Sequence, residues 1–291
     1  MALILPLISF LIGYFAVQSL TPIRPLLAAL LAKIFIPFII VYNMVFYTPG
    51  SLWLLILSLC SSIIFFSVFY AVAKDKLRAL CFSYLNGAWL GFPFALAVFG
   101  PQASSIIVAL YIGGSLFGNV SAVMAVSQTR QSSKFIIQNM IFSPPVIALA
   151  IAGILSIWDF SQWQNDWRVQ GLYQLDKFLV TFSGMCILGM WLSKVKIGWG
   201  DLKRSVLLIS ARAILSIPIL IAAYYLLPIP HQTLIFAVIF MFFLLPPAAN
   251  IVALETHYQG TGYSAKYIAS GTIASAILIT LYGVILHFLK L

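Results

Sequence analysis

Asn86-Gly87-Ala88-Trp89-Leu90-Gly91-Phe92-Pro93 interrupts an apolar stretch that runs from about Leu80 to Phe99. Leu245-Pro246-Pro247-Ala248-Ala249-Asn250 interrupts a second one, from about Leu234 to Leu254. Proline lacks an amide hydrogen and clashes with the preceding turn, so each site breaks a helix. An unpaired backbone group in hydrocarbon costs several kcal/mol, so an unwound stretch survives only under cover of protein or a watery cavity. Two such breaks, at matching places in the two halves of an apolar chain, point to a transport site near the bilayer midplane.

The rest of the chain gives these breaks their setting. It has 291 residues, of which 63% are hydrophobic and 8% charged, and its mean hydropathy is +1.07. A soluble fold of this length has no interior large enough to hide that surface. With roughly 20 apolar residues needed per crossing, ten spans are predicted: about 2–19, 26–47, 51–73, 80–99, 102–126, 135–157, 174–193, 205–227, 232–254 and 263–288. The start of the chain carries no basic segment before its apolar run, so it reads as a retained first span and not as a cleaved leader. Cys60, Cys81 and Cys186 show no paired spacing, which argues against a disulfide frame or a metal site.

Basic residues alternate with the crossings. Odd-numbered loops hold Arg24, Lys74, Lys76, Arg78, Arg130, Lys134, Lys194, Lys196, Lys203, Arg204 and Lys266. Even loops hold Arg168 and Lys177, and Lys290 lies at the C-terminus. Positive loops stay cytoplasmic, so the pattern predicts a multi-pass cell-membrane protein with both termini outside. The net charge of +10 follows from this scatter and does not form the stripe that nucleic acid binding requires.

Residues 1–128 hold five spans and 129–291 another five. An odd number of crossings turns the second half upside down. The predicted fold is an all-α membrane protein: ten transmembrane helices as two inverted five-helix repeats, with broken helices 4 and 9 crossing. The loop from Trp158 to Gln174 carries Trp158, Trp163 and Trp167 and reads as a short interfacial helix ahead of a ligand gate.

Half-helix N-termini offer N–H groups to a carboxylate, and half-helix C-termini offer carbonyls to Na⁺ or an ammonium. Asn86 and Asn250 can donate and accept, so they contact substrate, satisfy the opposing unwound backbone, or both. Gly91, Pro93 and Pro246 shape the breaks and lie within the predicted binding segment. In span five, Gly114 and Gly118 have the spacing of close helix packing. Asn119 follows as packing residue or site residue, and Asn43 and Asn139 could face the site from other helices. Arg212 is the deepest cation and either draws an anion inward or snorkels to headgroups. Glu255 ends the ninth span on its cytoplasmic side, and either binds a coupling proton or pairs with Lys266 or water. No Walker loop is present, so ATP is not the direct driver. No nucleophile–base pair or metal-spaced His cluster lies in the spans, which argues against an intramembrane enzyme. A sensor that keeps a transporter fold is the remaining alternative.

The run Asn86-x-x-x-x-Gly91-x-Pro93, followed by Phe99-Gly100 and Ala103, resembles the fourth-helix signature of the auxin efflux carrier family, which includes bacterial malate and malonate permeases and is distantly similar to bile acid:sodium symporters. Pro246-x-Ala248-x-Asn250-x-Val252 with Tyr258, Leu11-Ile12-Gly13-Tyr14, and Phe35-Ile36-Pro37 are similar to other helices of that family. The resemblance implies a small organic anion as substrate, moved by elevator-like alternating access, with a sodium-coupled bile-acid-like symporter as a further alternative. It implies no cofactor beyond a coupling Na⁺ or H⁺. Spans 1, 2, 6 and 7 would form a scaffold and a homodimer contact within the lipid bilayer, and spans 3–5 and 8–10 a moving transport part. The chain departs from the family pattern at Glu255, at Met185-Cys186-Ile187 before Leu188-Gly189, and in having no long loop after the fifth span.

Overall fold

The computed structural model describes residues 4–46, 49–126, 132–158, 160–252, 255 and 262–289. The expected division between residues 128 and 129, the side chain of Asn139, and Tyr258 lie outside the described residues. The elements they form are all helices, with one isolated two-residue bridge and no strand among the described residues. Six helices are long and apolar enough to cross a membrane. They are α2 (Arg24–Val45), α3 (Ser51–Ala73), α6 (Ser104–Val126), α9 (Trp167–Leu192), α10 (Trp199–Leu226) and α12 (Tyr263–Phe288). Shorter apolar helices are α1 (Ile4–Phe15), α5 (Gly87–Phe99), α8 (Pro144–Leu155) and α11 (Thr233–Phe243). Two further helices are α4 (Lys76–Ser83), which leads into the first break, and α7 (Ser133–Ile141).

Several boundaries differ from the sequence expectation for local reasons. The first span bends at Ala16 between Phe15 and Val17. The sixth is split at Ser143, because Pro144 and Pro145 can start a helix but cannot continue one. The seventh starts at Trp167 and not at 174, with Asp166 capping its first turn through the amides of Arg168 and Val169. The helix expected between Trp158 and Gln174 shrinks to a single 3₁₀ turn, Ser161–Trp163.

Helix α1 lies along α9 and α8 along α2; α3 packs on α4 and α6, and α10 on α11 and α12. Glycines let backbones touch at these crossings. A Cβ on Gly13 would stand 1.9 Å from the Cys186 carbonyl oxygen, and one on Gly189 would stand 2.1 Å from that of Phe10. Where α1, α2, α8 and α9 face the remaining helices, Ile36, Ile39 and Ile40 of α2 meet Ala88, Phe92, Ile107 and Val108. The void there is about 10 Å³, at the lower limit for one water, so this part of the seam is dry and apolar.

Candidate functional site: the crossing of two broken helices

The two breaks meet. The Asn86 amide donates to the Pro246 carbonyl at 2.9 Å, and the Ala248 amide donates to the Tyr84 carbonyl at 2.9 Å, which makes an antiparallel bridge between Leu85 and Pro247. Each unwound strand thus satisfies part of the other's backbone. Gly91 permits the approach, since a Cβ there would stand 2.6 Å from Leu245 Cδ1.

On one side of the bridge, α4 and α11 end. Their last carbonyls lack helical partners and carry the negative ends of two helix dipoles. The guanidinium of Arg212, fully buried, collects them. Its Nε donates to the Phe243 carbonyl at 2.7 Å, Nη1 to that of Phe82 at 3.0 Å, and Nη2 to that of Leu245. The Ser275 hydroxyl donates to the Leu244 carbonyl at 2.7 Å. Arg212 therefore neither snorkels nor reaches toward a substrate. Its fork of donors is spent on the C-terminal carbonyls of both first half-helices, the groups that the sequence left open to Na⁺.

On the other side, α5 and the helical residues 250–252 begin, and their N-termini open on a cavity of about 120 Å³. Asn86, Gly87, Ala88 and Trp89 line it from the first, and Ala248, Ala249 and Asn250 from the second. Asn86 is 4% exposed; its Oδ1 caps the Trp89 amide at 3.2 Å, while its Nδ2 has no hydrogen-bond partner. Asn250 Nδ2 donates to the Tyr84 hydroxyl at 3.1 Å, and the Tyr84 ring lies on Gly118, where a Cβ would come within 2.3 Å. Tyr111 of α6 and Ala32 and Ile36 of α2 complete the wall. Both α2 and α5 are widened into π turns, at Leu31–Phe35 and Gly87–Gly91, each two residues before a proline, Pro37 or Pro93. A proline cannot donate back to the preceding turn, and the widened turn absorbs the loss. The cavity sits between these two turns.

Among the predicted site residues, Asn86 and Asn250 come together at the cavity. Gly91, Pro93 and Pro246 stand outside its lining and act on backbone geometry. Asn119 is eight residues beyond Tyr111, about 12 Å along α6, and does not reach it. Glu255 is buried, and accepts from the amides of Tyr263 at 2.8 Å and Ser264 at 2.9 Å and from the Ser264 hydroxyl. It holds the N-terminus of α12, where a carboxylate complements the helix dipole. Tyr84, Trp89 and Tyr111 went unrecognised in the sequence, although Tyr84 stands only two residues before Asn86.

No known protein family and no characterised protein matches the chain.

Proposed function

We propose that this chain is a secondary transporter for a small organic anion, with the substrate held between Asn86 and Asn250. The observation that carries this reading is the polarity of the crossing. The N-terminus of α5, the helical turn that starts at Asn250 and an unpartnered carboxamide N–H₂ face one cavity, and no acidic residue lines it among the described residues. Positive helix ends with spare donors favour a carboxylate. At about 120 Å³ the cavity holds about four waters and is well below the roughly 300–1,000 Å³ of pockets for drug-sized ligands, so a short-chain acid fits and a bile acid does not.

Ten crossings in two inverted repeats account for the packing. The broken pairs α4/α5 and α11 with residues 250–252 each make one crossing, and so does the split pair α7/α8. Exchanging the halves maps α1 on α9 to α8 on α2, α3 on α6 to α10 on α12, α3 on α4 to α10 on α11, and α11 on α6 to α4 on α12. The dry isoleucine seam is where a scaffold of α1, α2, α8 and α9 and a transport part made of the rest would slide. Arg212 supplies the positive charge that a sodium ion would otherwise bring to the carbonyl ends, so the reading includes uptake that needs no Na⁺.

Labelled malonate, malate and indole acetate, offered to proteoliposomes with and without a proton gradient, test this directly. Uptake of a short dicarboxylate that survives replacement of Na⁺ by N-methylglucamine is the expected result. Asn86→Asp keeps the acceptor that caps Trp89 and loses the free donor. It should fold normally and transport at least tenfold more slowly, a loss of about 1.4 kcal/mol. Normal uptake by Asn86→Asp and Asn250→Ala would remove the crossing as the site.

A further inference from the structure

A second cavity of about 270 Å³ lies along the same seam. It is lined by Pro6 of α1, Pro93 of α5, Pro101 just before α6, and Gln174, Lys177 and Thr181 of α9. Pro6, Gln174 and Lys177 belong to the halves of α1 and α9 remote from the basic loops, and Thr181 stands near the middle of α9. The cavity runs from Pro101 at the chain surface to Pro93, two residues after the wide turn of α5. Between it and the crossing, α5 and α9 touch backbone to ring-free backbone: a Cβ on Gly184 would be 3.0 Å from the Trp89 carbonyl oxygen.

Lys177 stands out on this wall. It is 7% exposed. Its ammonium lies over the Tyr173 ring at 4.6 Å, and it has neither a hydrogen-bond acceptor nor an ion-pair partner among the described residues. Asp176, next to it in sequence, is buried as well, and its Oδ2 also lacks a partner, so the two charges do not close on each other. The ammonium thus faces the cavity with no counter-ion bonded to it, an arrangement that favours an anion there. Lipid headgroups do not compensate it, because the side chain turns into the protein.

We propose that this cavity is a second anion site, an antechamber in which Lys177 receives the carboxylate of a small organic acid on the side of the membrane opposite the basic loops. The proposal rests on the transporter reading and deepens it. The crossing would hold the substrate by helix ends and Asn86, and Lys177 would bring it to the closed side of the Trp89–Gly184 contact. Above the cavity, the Tyr173 hydroxyl bonds to Ser104 of α6 and accepts from Asn43 Nδ2 of α2 at 3.1 Å. This link ties α9 to α6 across the seam at the outer end of the cavity, on the side of Lys177 away from the Trp89–Gly184 contact.

The charge of the cavity can be read without any transport. Gln174→Cys, placed in a Cys60→Ser background, puts a thiol on the exposed rim. Sulfonatoethyl and trimethylammonioethyl methanethiosulfonate, applied to the whole protein in nanodiscs, then compare an anionic with a cationic reagent of similar size. The anionic reagent should react faster, and Lys177→Gln should lower that ratio by about tenfold while Lys177→Arg keeps it. No charge preference, or one that survives Lys177→Gln, overturns the proposal. Oriented vesicles give the second measurement. In Lys177→Gln the KM for malonate should rise about tenfold from the Lys177 side and stay within twofold from the other. Equal KM changes on both sides also overturn it. Wild-type vesicles that move none of the acids would instead sink the transporter reading and leave the reagent ratio to decide the site.

Discussion

Arg212 shows how little of a buried charge's role is visible from its depth alone. The sequence places a cation about 12 Å inside a predicted helix, and both readings offered for it assume that the charge looks outward, to substrate or to headgroups. The structure gives it three backbone carbonyls from two other helices. Helix C-termini have no residue signature of their own here, so that destination could not be read from the chain. Arg212→Met should leave three buried acceptors unpaired, each worth about 1–3 kcal/mol, and the protein should lose its monodisperse peak in detergent. Arg212→Lys keeps the charge without the fork and should fall between, with a lower melting temperature and residual folding. Glu255→Gln is expected to cost about 1 kcal/mol through the α12 terminus. It should leave the pH profile of uptake unchanged, whereas a proton-coupling residue would flatten it.

At the scale of the element, the prolines told most. Pro93, Pro246 and Pro247 mark both breaks, and residues 84–86 and 246–248 do pair there. The same rule, applied evenly, would have split the sixth span at Pro144. The unbroken apolarity around that residue concealed it. Helix α9 was clipped for the opposite reason: Arg168 and Gln170 make its first turn too polar for a hydropathy ruler, and Lys177, just inside the clipped boundary at 174, was counted with the loop charges. Close backbone contacts separate glycines that matter from those that do not. Gly13→Ala drives a methyl into the Cys186 carbonyl and should destabilise the α1–α9 pair by about 1–3 kcal/mol. Gly153→Ala and Gly171→Ala meet nothing within 4 Å and should be neutral or stabilising by up to about 1 kcal/mol, as an alanine in a helix is. Thermal unfolding followed by size-exclusion fluorescence distinguishes the three variants.

For the whole molecule, two cavities flank one dry seam, and only a few polar links cross it. Tyr173 is the clearest of these. Its ring stacks on Tyr42 at 3.7 Å, while its hydroxyl joins Asn43 and Ser104. Tyr173→Phe keeps the stack and removes the hydroxyl. On the transporter reading it should shift the resting balance toward the form open on the Lys177 side, seen as faster labelling of a cysteine at Gln174. The paired breaks were readable early, because they are a property of spacing. Which side chains bridge the seam depends on helix rotation, which spacing does not fix. The shared guanidinium of Arg212 also sets an order of assembly. When α4 and α5 have entered the bilayer, the carbonyl of Phe82 has no donor until α10 is synthesised. A nascent chain halted after α6 therefore carries an unpaired carbonyl into the lipid, and quality-control proteases should clear such a fragment unless the remaining helices are co-expressed to supply the donor.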